Sequence, residues 1–353
     1  MLLKKKLCIT ALFGGILFFM IASYTIQKNS FLIHFYEPAR STHMTYRNMQ
    51  TQIKTEMWQN HSCRCKTYCI TDKGISKWFD QRFDPKQQPY LSLKKYQIDQ
   101  ESLQWWLNLQ RSPTMSVNET IKKMFTVISD PANKNRQPDQ CQRCAVVGNS
   151  GNLLQYKYGA IIDSHPTVFR MNKAMTAGYE RYVGNKTTHH IMYPESAVDL
   201  APGTHLVLLP FKLKDLEWVA SALSTGKIKM TYMRVKEFVQ ADKNKVIVVN
   251  PSFFKYIHDN WTEHHGRYPS TGMLAIVFAL HLCDEVSVFG YGADPEGNWH
   301  HYWEKNKYAG AFRKTGVHNA DFEHKIIRNL AKAGKIKLYN YTKGKSMSPN
   351  DVY

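Results

Sequence analysis

The chain has 353 residues, of which 47 are Lys or Arg and 28 are Asp or Glu, giving a formal charge of +19. It is long enough to bury a substantial core as one large domain or two ordinary ones, and a hydrophobic content of 43% with 13% aromatics excludes a disordered or low-complexity chain. The positive balance fits a nucleic-acid binder, a protein beside an anionic membrane, or an enzyme with an acidic substrate, and composition alone does not choose among them.

The first thirty residues narrow the field. Lys4, Lys5 and Lys6 precede an uncharged, largely apolar run over residues 7–26, and Lys28 follows it. At about 1.5 Å per residue, such a run spans about 30 Å, the hydrocarbon thickness of a bilayer. The alternative, a cleaved signal peptide, has an apolar stretch of about 7–15 residues and a small-x-small cleavage site; residues 20–30 contain no clear site of that kind. The run is therefore read as an uncleaved signal anchor. Residues 1–6 become a cytosolic tail, and the positive-inside rule makes everything after residue 26 lumenal. That topology removes a nuclear nucleic-acid binder, and no nucleic-acid partner is expected. Residues 27–62 are polar without strong periodicity and read as a lumenal stem, leaving residues 63–353 as the folded domain.

Of seven cysteines, Cys8 lies in the apolar run and six lie beyond it: Cys63, Cys65, Cys69, Cys141, Cys144 and Cys283. An even number in a lumenal segment suggests disulfides, with all fifteen pairings open to six cysteines. Zinc is the rival, because Cys63/Cys65/Cys69 and Cys141/Cys144 have ligand-like spacing; an oxidising lumen favours disulfides. Sequons begin at Asn60, Asn118, Asn185, Asn260 and Asn340 and agree with a secreted topology.

From Cys63 to about Gln140 the pattern is mixed, with a helix expected over Glu101–Gln110 and a loop over Pro131–Gln140. After Cys144 it becomes regular. Strands are expected at Ala145–Val147, Thr167–Met171, His189–Met192, His205–Phe211, Val246–Asn250, Glu285–Phe289 and Lys335–Tyr341. Helices are expected at Leu213–Ser224, Ser252–Trp261, Ser270–Cys283 and Ala320–Ala333. The alternation predicts an α/β domain with a mostly parallel sheet and helices on both faces. In such sheets ligands bind beyond the carboxyl ends of strands, often at helix N-termini.

Four segments could carry chemistry. Val146-Val147-Gly148-Asn149-Ser150-Gly151-Asn152 ends a strand with glycines that admit a phosphate closely and with neutral Asn and Ser groups. It is neither a Walker A loop nor a GxGxxG fingerprint, and an ordinary tight turn is the structural alternative. Arg170-Met171-Asn172-Lys173 adds a second Asn after another strand. Arg267-Tyr268-Pro269-Ser270-Thr271-Gly272 opens an apolar helix with Ser270 as N-cap, a setting that suits an anion or simply a capped core helix. Gly290-Tyr291-Gly292-Ala293-Asp294 leads to Trp299-His300-His301-Tyr302-Trp303-Glu304, a loop better suited to hydrogen-bonding an anion than to holding a metal, since no third ligand has matching spacing. His318 precedes a helix, where it is either a structural loop His or a general base. No Asp-x-Asp occurs in the chain, so the carboxylate pair that commonly holds a metal on a nucleotide-sugar diphosphate is missing.

Together these segments resemble the animal sialyltransferases, and among them the beta-galactoside alpha-2,3-sialyltransferases acting on Gal-beta-1,3-GalNAc. The long motif is matched from Cys144 through Asn152, Ile162-Asp163-Ser164-His165 and Arg170-Met171-Asn172 to Gly184-Asn185-Lys186-Thr187-Thr188. The short motif is matched from Pro269-Ser270-Thr271-Gly272 through Cys283-Asp284-Glu285-Val286 to Gly290-Tyr291-Gly292. The third is matched by His300-His301-Tyr302-Trp303-Glu304, and the very short one by His318 with Glu323.

The resemblance implies a GT-A-like variant with a Rossmann-type, mostly parallel sheet flanked by helices in a single catalytic domain over residues 63–353. It implies a single-pass type II enzyme of the Golgi membrane that moves sialic acid from CMP-sialic acid to galactose O3, with inversion and without a metal or other cofactor. Its partners would be CMP-sialic acid and galactose-terminated O-glycans of glycoproteins, with glycolipids as further acceptors. By motif, Asn149, Ser150 and Asn172 would bind the CMP moiety, with Ser270, Thr271, Gly272 and Gly292 near its nucleoside and phosphate. His301 would donate to the departing phosphate, helped by Tyr232 and by Trp299 or His300, and His318 would take the galactose proton. Tyr193, Ser196, Tyr268 and Gln110 are acceptor-side candidates. The shared motif cysteines imply a Cys144–Cys283 bond, with Cys65–Cys141 and Cys63–Cys69 favoured for the rest; the gap between Cys65 and Cys69 is one residue longer than the family pattern. Rival readings are the same chemistry on lactosamine or ganglioside acceptors, or a non-catalytic sialoside-binding protein.

Overall fold

Alternation along Arg143–Val147 decides the architecture. Cys144 and Val146 belong to one buried cluster and Ala145 and Val147 to another, so this strand is apolar on both faces and needs cover on both. The computed structural model describes residues 63, 65, 66, 69–109, 116–131, 140–293, 300–305 and 316–339. The strand, β1, is followed by β2 (Thr167–Met171), β3 (His189–Met192), β4 (His205–Leu208), β5 (Val246–Val248), β6 (Glu285–Phe289) and β7 (Lys337–Tyr339). They form one sheet in the order β5-β4-β3-β2-β1-β6-β7, and every pairing is parallel. The chain moves outward from β1 to β5, then returns to place β6 on the other side of β1. This is the expected Rossmann-type sheet flanked by helices.

The helices are α1 (Lys77–Asp80), α2 (Gln100–Leu109), α3 (Val117–Phe125), α4 (Gly159–Asp163), α5 (Glu180–Val183), α6 (Leu213–Ala222), α7 (Pro251–Asn260), α8 (Thr271–Leu282) and α9 (Ala320–Lys332). Within the described residues every strand-like and helix-like run forms the expected element, with some ends shifted; Gln110 and residues 340–341 lie outside them. Pro210 follows β4 closely, and Asn250 leaves β5 to cap α7, accepting from the Ser252 N–H. The segments without strong periodicity hold four unexpected helices, α1, α3, α4 and α5. Of these, α3 had a legible start: Ser116 accepts from the Glu119 N–H, the Ser-x-x-Glu arrangement that opens helices.

Two helices fix the site. Met273 through Leu280 of α8 are all buried, so this helix is apolar on every side and lies in the core against β1, β2 and β6. α9 buries Glu323, Ile326, Ile327, Leu330 and Ala331, the spacing of one helical stripe. Glu323 stands at its first position, where a hydrophobe would be ordinary.

Residues 1–62, which hold the tail, anchor and stem, lie outside the described residues. Among the described residues no helix is long and apolar enough to cross a membrane. Asn118, Asn185 and Asn260 are exposed; Asn60 and Asn340 lie outside the described residues.

All six cysteines beyond the apolar run are paired. Cys63–Cys69, Cys65–Cys141 and Cys144–Cys283 have Cα separations of 5.8, 4.8 and 6.1 Å, as the resemblance implied. Cys144–Cys283 ties the start of β1 to the C-cap of α8 across 139 residues. Closing a loop of that length restricts the unfolded chain by about 4–5 kcal/mol. The double variant Cys144→Ala/Cys283→Ala is therefore expected to lose stability on that scale in denaturant unfolding, while Cys63→Ala/Cys69→Ala, which opens a six-residue separation, loses much less.

Candidate active site

The loops after β1 and β6 run together. The ladder continues past the strand ends, with the Gly148 N–H donating to Phe289 O at 2.8 Å and the Ser150 N–H to Gly290 O at 3.0 Å. A Cβ on Gly148 would lie 2.3 Å from Gly290 O, so only glycine permits this approach. Beyond the seam opens a cleft of about 370 Å³, lined by Asn149, Ser150, Asn172, Tyr193, Ser270, Thr271, Gly272, Gly292, His300, His301 and His318 among others. Eleven residues singled out from the sequence thus share one cavity, at the carboxyl ends of β1, β2 and β6.

The two asparagines are held for accepting. Asn149 Nδ2 donates to Met171 O at 3.1 Å, and its buried Oδ1 has no partner. Asn172 sits at φ 57°, a left-handed conformation that Asn tolerates. Its N–H donates to Ile191 O at 2.9 Å, and its carbonyl lies 2.6 Å from His190 Nε2. Its buried Oδ1 is also unpartnered. Buried acceptors without donors are costly; the amine and hydroxyl groups of a nucleoside would satisfy them. Ser150 has a different part. Its hydroxyl donates to Gly292 O at 2.8 Å and accepts from the Asn152 N–H, so it joins the two loops.

The N-terminus of α8 forms one wall. Ser270 Oγ accepts from the Met273 N–H at 3.1 Å, and Thr271 and Gly272 of the first turn line the cleft. The first N–H groups of a helix have no intrahelical partner, and with the helix dipole they favour an anion. Glu323 braces this end from α9: its carboxylate accepts from the Ser270 N–H at 2.8 Å and from the Ser270 hydroxyl. Burial pushes its pKa up to about 7, while both Ser270 bonds oppose the shift. Tyr291 lies beneath, its hydroxyl donating to Gly272 O at 3.1 Å and its ring against Gly148 and Gly272.

His318 lies in a fixed tautomer. Its Nδ1 is 2.8 Å from Tyr268 O, a carbonyl that can only accept, so Nδ1 carries the proton and Nε2 the lone pair. Burial lowers its pKa below the usual histidine value, which favours the neutral ring. Tyr268 stands edge-on to the ring at 5.0 Å. His301 is held by other means: Nδ1 lies 2.9 Å from Glu304 Oε1, and its ring stacks on Trp303 at 4.5 Å. The loop carrying it is pinned to the β1 loop by Gly151 N–H to His300 O and Tyr302 N–H to Asn149 O.

The remaining candidates stand apart. Ser196 bonds to both the N–H and the carbonyl of Tyr193, closing a turn that presents Tyr193 to the cleft. Tyr268 reaches His318 but is not among the lining residues. Tyr232 is also outside the lining; it is 62% exposed with the Lys212 ammonium 4.9 Å from its ring centroid. Gln110 and Trp299 lie outside the described residues. Sequence reasoning missed a buried ion cluster behind Tyr193. Lys212 Nζ lies 3.0 Å from Glu195 and 2.7 Å from Asp215, and Thr231 also donates to Glu195. One lysine thereby joins the Tyr193–Ser196 turn to Tyr232. It was not visible because its members are scattered; Glu195 within the Tyr193–Ser196 stretch was the only cue. His324, next to Glu323, also lines the cleft.

Comparisons with known proteins agree with this geometry. The family model described as Glycosyltransferase family 29 (sialyltransferase) matches residues 90–335. A CMP-N-acetylneuraminate-beta-galactosamide-alpha-2,3-sialyltransferase 2 of Rattus norvegicus is 53% identical over 292 residues, 82% of this chain and 83% of that protein. A CMP-N-acetylneuraminate-beta-galactosamide-alpha-2,3-sialyltransferase 1 of Gallus gallus is 46% identical over 331 residues, 91% of this chain and 96% of that protein. A crystal structure of a mammalian sialyltransferase in complex with Gal-beta-1-3GalNAc-ortho-nitrophenol superposes with a TM-score of 0.72 at 46% identity, covering 79% of this chain and 100% of that one. The expected GT-A-like arrangement is the fold.

The Glu323 brace has a measurable sign. Its folded pKa is raised above the unfolded value, so the carboxyl's stabilisation is full below pH 4.5 and is lost as pH rises towards 7. Glu323→Ala strips two bonds from the α8 cap and is expected to cost about 2–3 kcal/mol in urea unfolding. Glu323→Gln keeps an acceptor and is expected to flatten the stability profile between those pH values.

Proposed function

Since the chain belongs to glycosyltransferase family 29, the sialyltransferases, we propose that it transfers sialic acid from CMP-sialic acid to O3 of the terminal galactose of Gal-beta-1,3-GalNAc glycans, forming an alpha-2,3 linkage. The alpha-2,3 and galactoside parts are supported by the names of its relatives. The acceptor is supported by the disaccharide bound in the similar crystal structure. The observation that carries the mechanism is His318, its Nδ1 held 2.8 Å from Tyr268 O, lining a cleft whose other wall is a helix N-terminus.

The nucleoside of CMP would lie against Asn149 and Asn172, supplying the donors their amide oxygens need. Its phosphate would lie towards Thr271, Gly272 and the His300-His301 loop. In the reaction, His318 Nε2 takes the proton from galactose O3 as that oxygen attacks the anomeric carbon of sialic acid. The bond from that carbon to the phosphate oxygen breaks, and CMP leaves with the bonding pair. One displacement inverts the anomeric configuration. His301, its Nδ1 held by Glu304, would present its other nitrogen as a donor to the phosphate, with Tyr232 and Trp299 assisting. Gln110, Tyr193, Ser196 and Tyr268 belong to the acceptor side.

CMP leaves readily once its phosphate is hydrogen-bonded, which is why a paired-carboxylate arrangement, needed to expel a poor alkoxide, has no work here. Glu323 is the only carboxylate among the described residues lining the cleft, and Ser270 occupies it. That arrangement fits a metal-independent reaction, because among the described lining residues it leaves no carboxylate pair for a divalent ion. Each well-placed donor on the phosphate is worth about 3–4 kcal/mol, and the base about 10²–10⁴-fold. The apolar run over residues 7–26 supports a type II Golgi placement with the catalytic domain lumenal.

His318→Ala is expected to lower kcat/KM by about 10²–10⁴-fold while CMP affinity stays close to that of the parent protein, measured by calorimetry. Because burial depresses the His318 pKa, the base stays active as pH falls, and the acid limb of the kcat/KM profile is expected below the ordinary histidine value of 6.5. Incubated with CMP-sialic acid and a panel of galactosides in excess EDTA, the protein is expected to sialylate Gal-beta-1,3-GalNAc faster than lactosamine, with an alpha-2,3 product by NMR.

A further inference from the structure

The only metal ligands the sequence suggested were cysteines, and those are paired in disulfides. Folding nevertheless assembles a set of ligands outside the cleft, where α7 ends and the chain turns towards Tyr268. His258, Asp259 and His264 place one ligand atom each within 4.8 Å of one another. Asp259 Oδ1 lies 3.5 Å from His258 Nδ1 and 3.5 Å from His264 Nδ1. In tetrahedral zinc sites, ligand distances of about 2.0–2.1 Å put neighbouring donor atoms about 3.3–3.5 Å apart. Both edges to Asp259 Oδ1 have that length.

The chemistry of His258 points the same way. Its Nε2 faces Gly266 O at 3.2 Å, a carbonyl that can only accept, so Nε2 carries a proton, and in the neutral ring Nδ1 holds the lone pair. The residue is 7% exposed, yet that buried Nδ1 has no hydrogen-bond partner. In the neutral ring a buried lone pair thus faces a carboxylate oxygen 3.5 Å away, two acceptors with nothing between them. A ligating histidine ordinarily donates its other nitrogen to a carbonyl, as His258 does to Gly266. Trp105 packs against its ring at 5.2 Å. On the far side of the carboxylate, Lys255 holds Asp259 Oδ2, leaving Oδ1 to the histidines. Glu263 and His264 take left-handed backbone conformations, φ 48° and 60°, which non-glycine residues seldom adopt. They turn the His264 ring, 69% exposed at its side chain, back over Asp259.

We propose that His258, Asp259 and His264 form a binding site for a transition-metal ion, zinc above all, with solvent completing the coordination. The donor set of two imidazoles and one carboxylate suits zinc better than calcium or magnesium, which take oxygen ligands. Gly266, bonded to His258, also pairs with His318 across an isolated bridge, so the ion fastens the same turn that carries the partner of the base.

Calorimetry on the EDTA-treated, desalted full-length protein in detergent tests this, with zinc chloride titrated into the parent and into His264→Ala and Asp259→Asn. Saturable binding near one ion per chain is expected, weakened at least about tenfold by either substitution. His264 lies outside the catalytic cleft, so metal-free His264→Ala is expected to keep parental transfer activity, which also shows it is folded. No saturable binding by the parent at 100-micromolar zinc, or equal binding by parent and both variants, would overturn the site and leave a proton between His258 and Asp259 as the explanation.

Discussion

Because β1 pairs with β2 on one side and β6 on the other, the chain reverses its course across the sheet at that seam and leaves a crevice at the carboxyl ends of adjoining strands. The cleft is built around this junction. Gly148 lets the two loops touch, Ser150 bonds across them to Gly292, and the loop bearing His301 is stitched to the same place through Gly151 and Tyr302. The Cys144–Cys283 bond fastens the opposite end of β1 to α8, and the N-terminus of α8 supplies the anion-favouring wall. Packing and chemistry therefore share components: the fully apolar α8 is buried by the core, and its burial aims Thr271 and Gly272.

The charge of the chain takes on a narrower meaning. With a formal charge of +19, the protein would be expected to meet an anion with Lys or Arg. No Lys or Arg is among the described residues lining the cleft; backbone N–H groups, histidines and asparagines line it instead. Neutral, preorganised donors stabilise charge that appears as a bond breaks without binding the intact anion so tightly that its product cannot leave.

Much of this was legible in the residues because regular elements follow periodicity and the motif loops fall at strand ends. All seven strands and the five longer expected helices were readable for that reason, and eleven residues singled out from the sequence converge on one cavity. What stayed hidden depends on contacts between distant segments. Glu323 is legible as the acid that accompanies His318 in the very short motif, but only its place on the buried stripe of α9 shows it as the brace of Ser270. Lys212, Glu195 and Asp215 come together through tertiary folding, as do His258 and His264 with Asp259, six residues apart at most but aligned only by two left-handed residues. The short helices α1, α4 and α5 have too few turns to impose a period.

A base at His318 depends above all on the protonation of its ring. Selective ¹⁵N-histidine labelling, with His318→Ala used to assign the signal, would report its state at pH 6.5, where an unperturbed histidine is about half protonated. A predominantly neutral imidazole with its proton on Nδ1 is expected. A predominantly protonated ring, or a neutral ring with the proton on Nε2, would contradict His318 as the base.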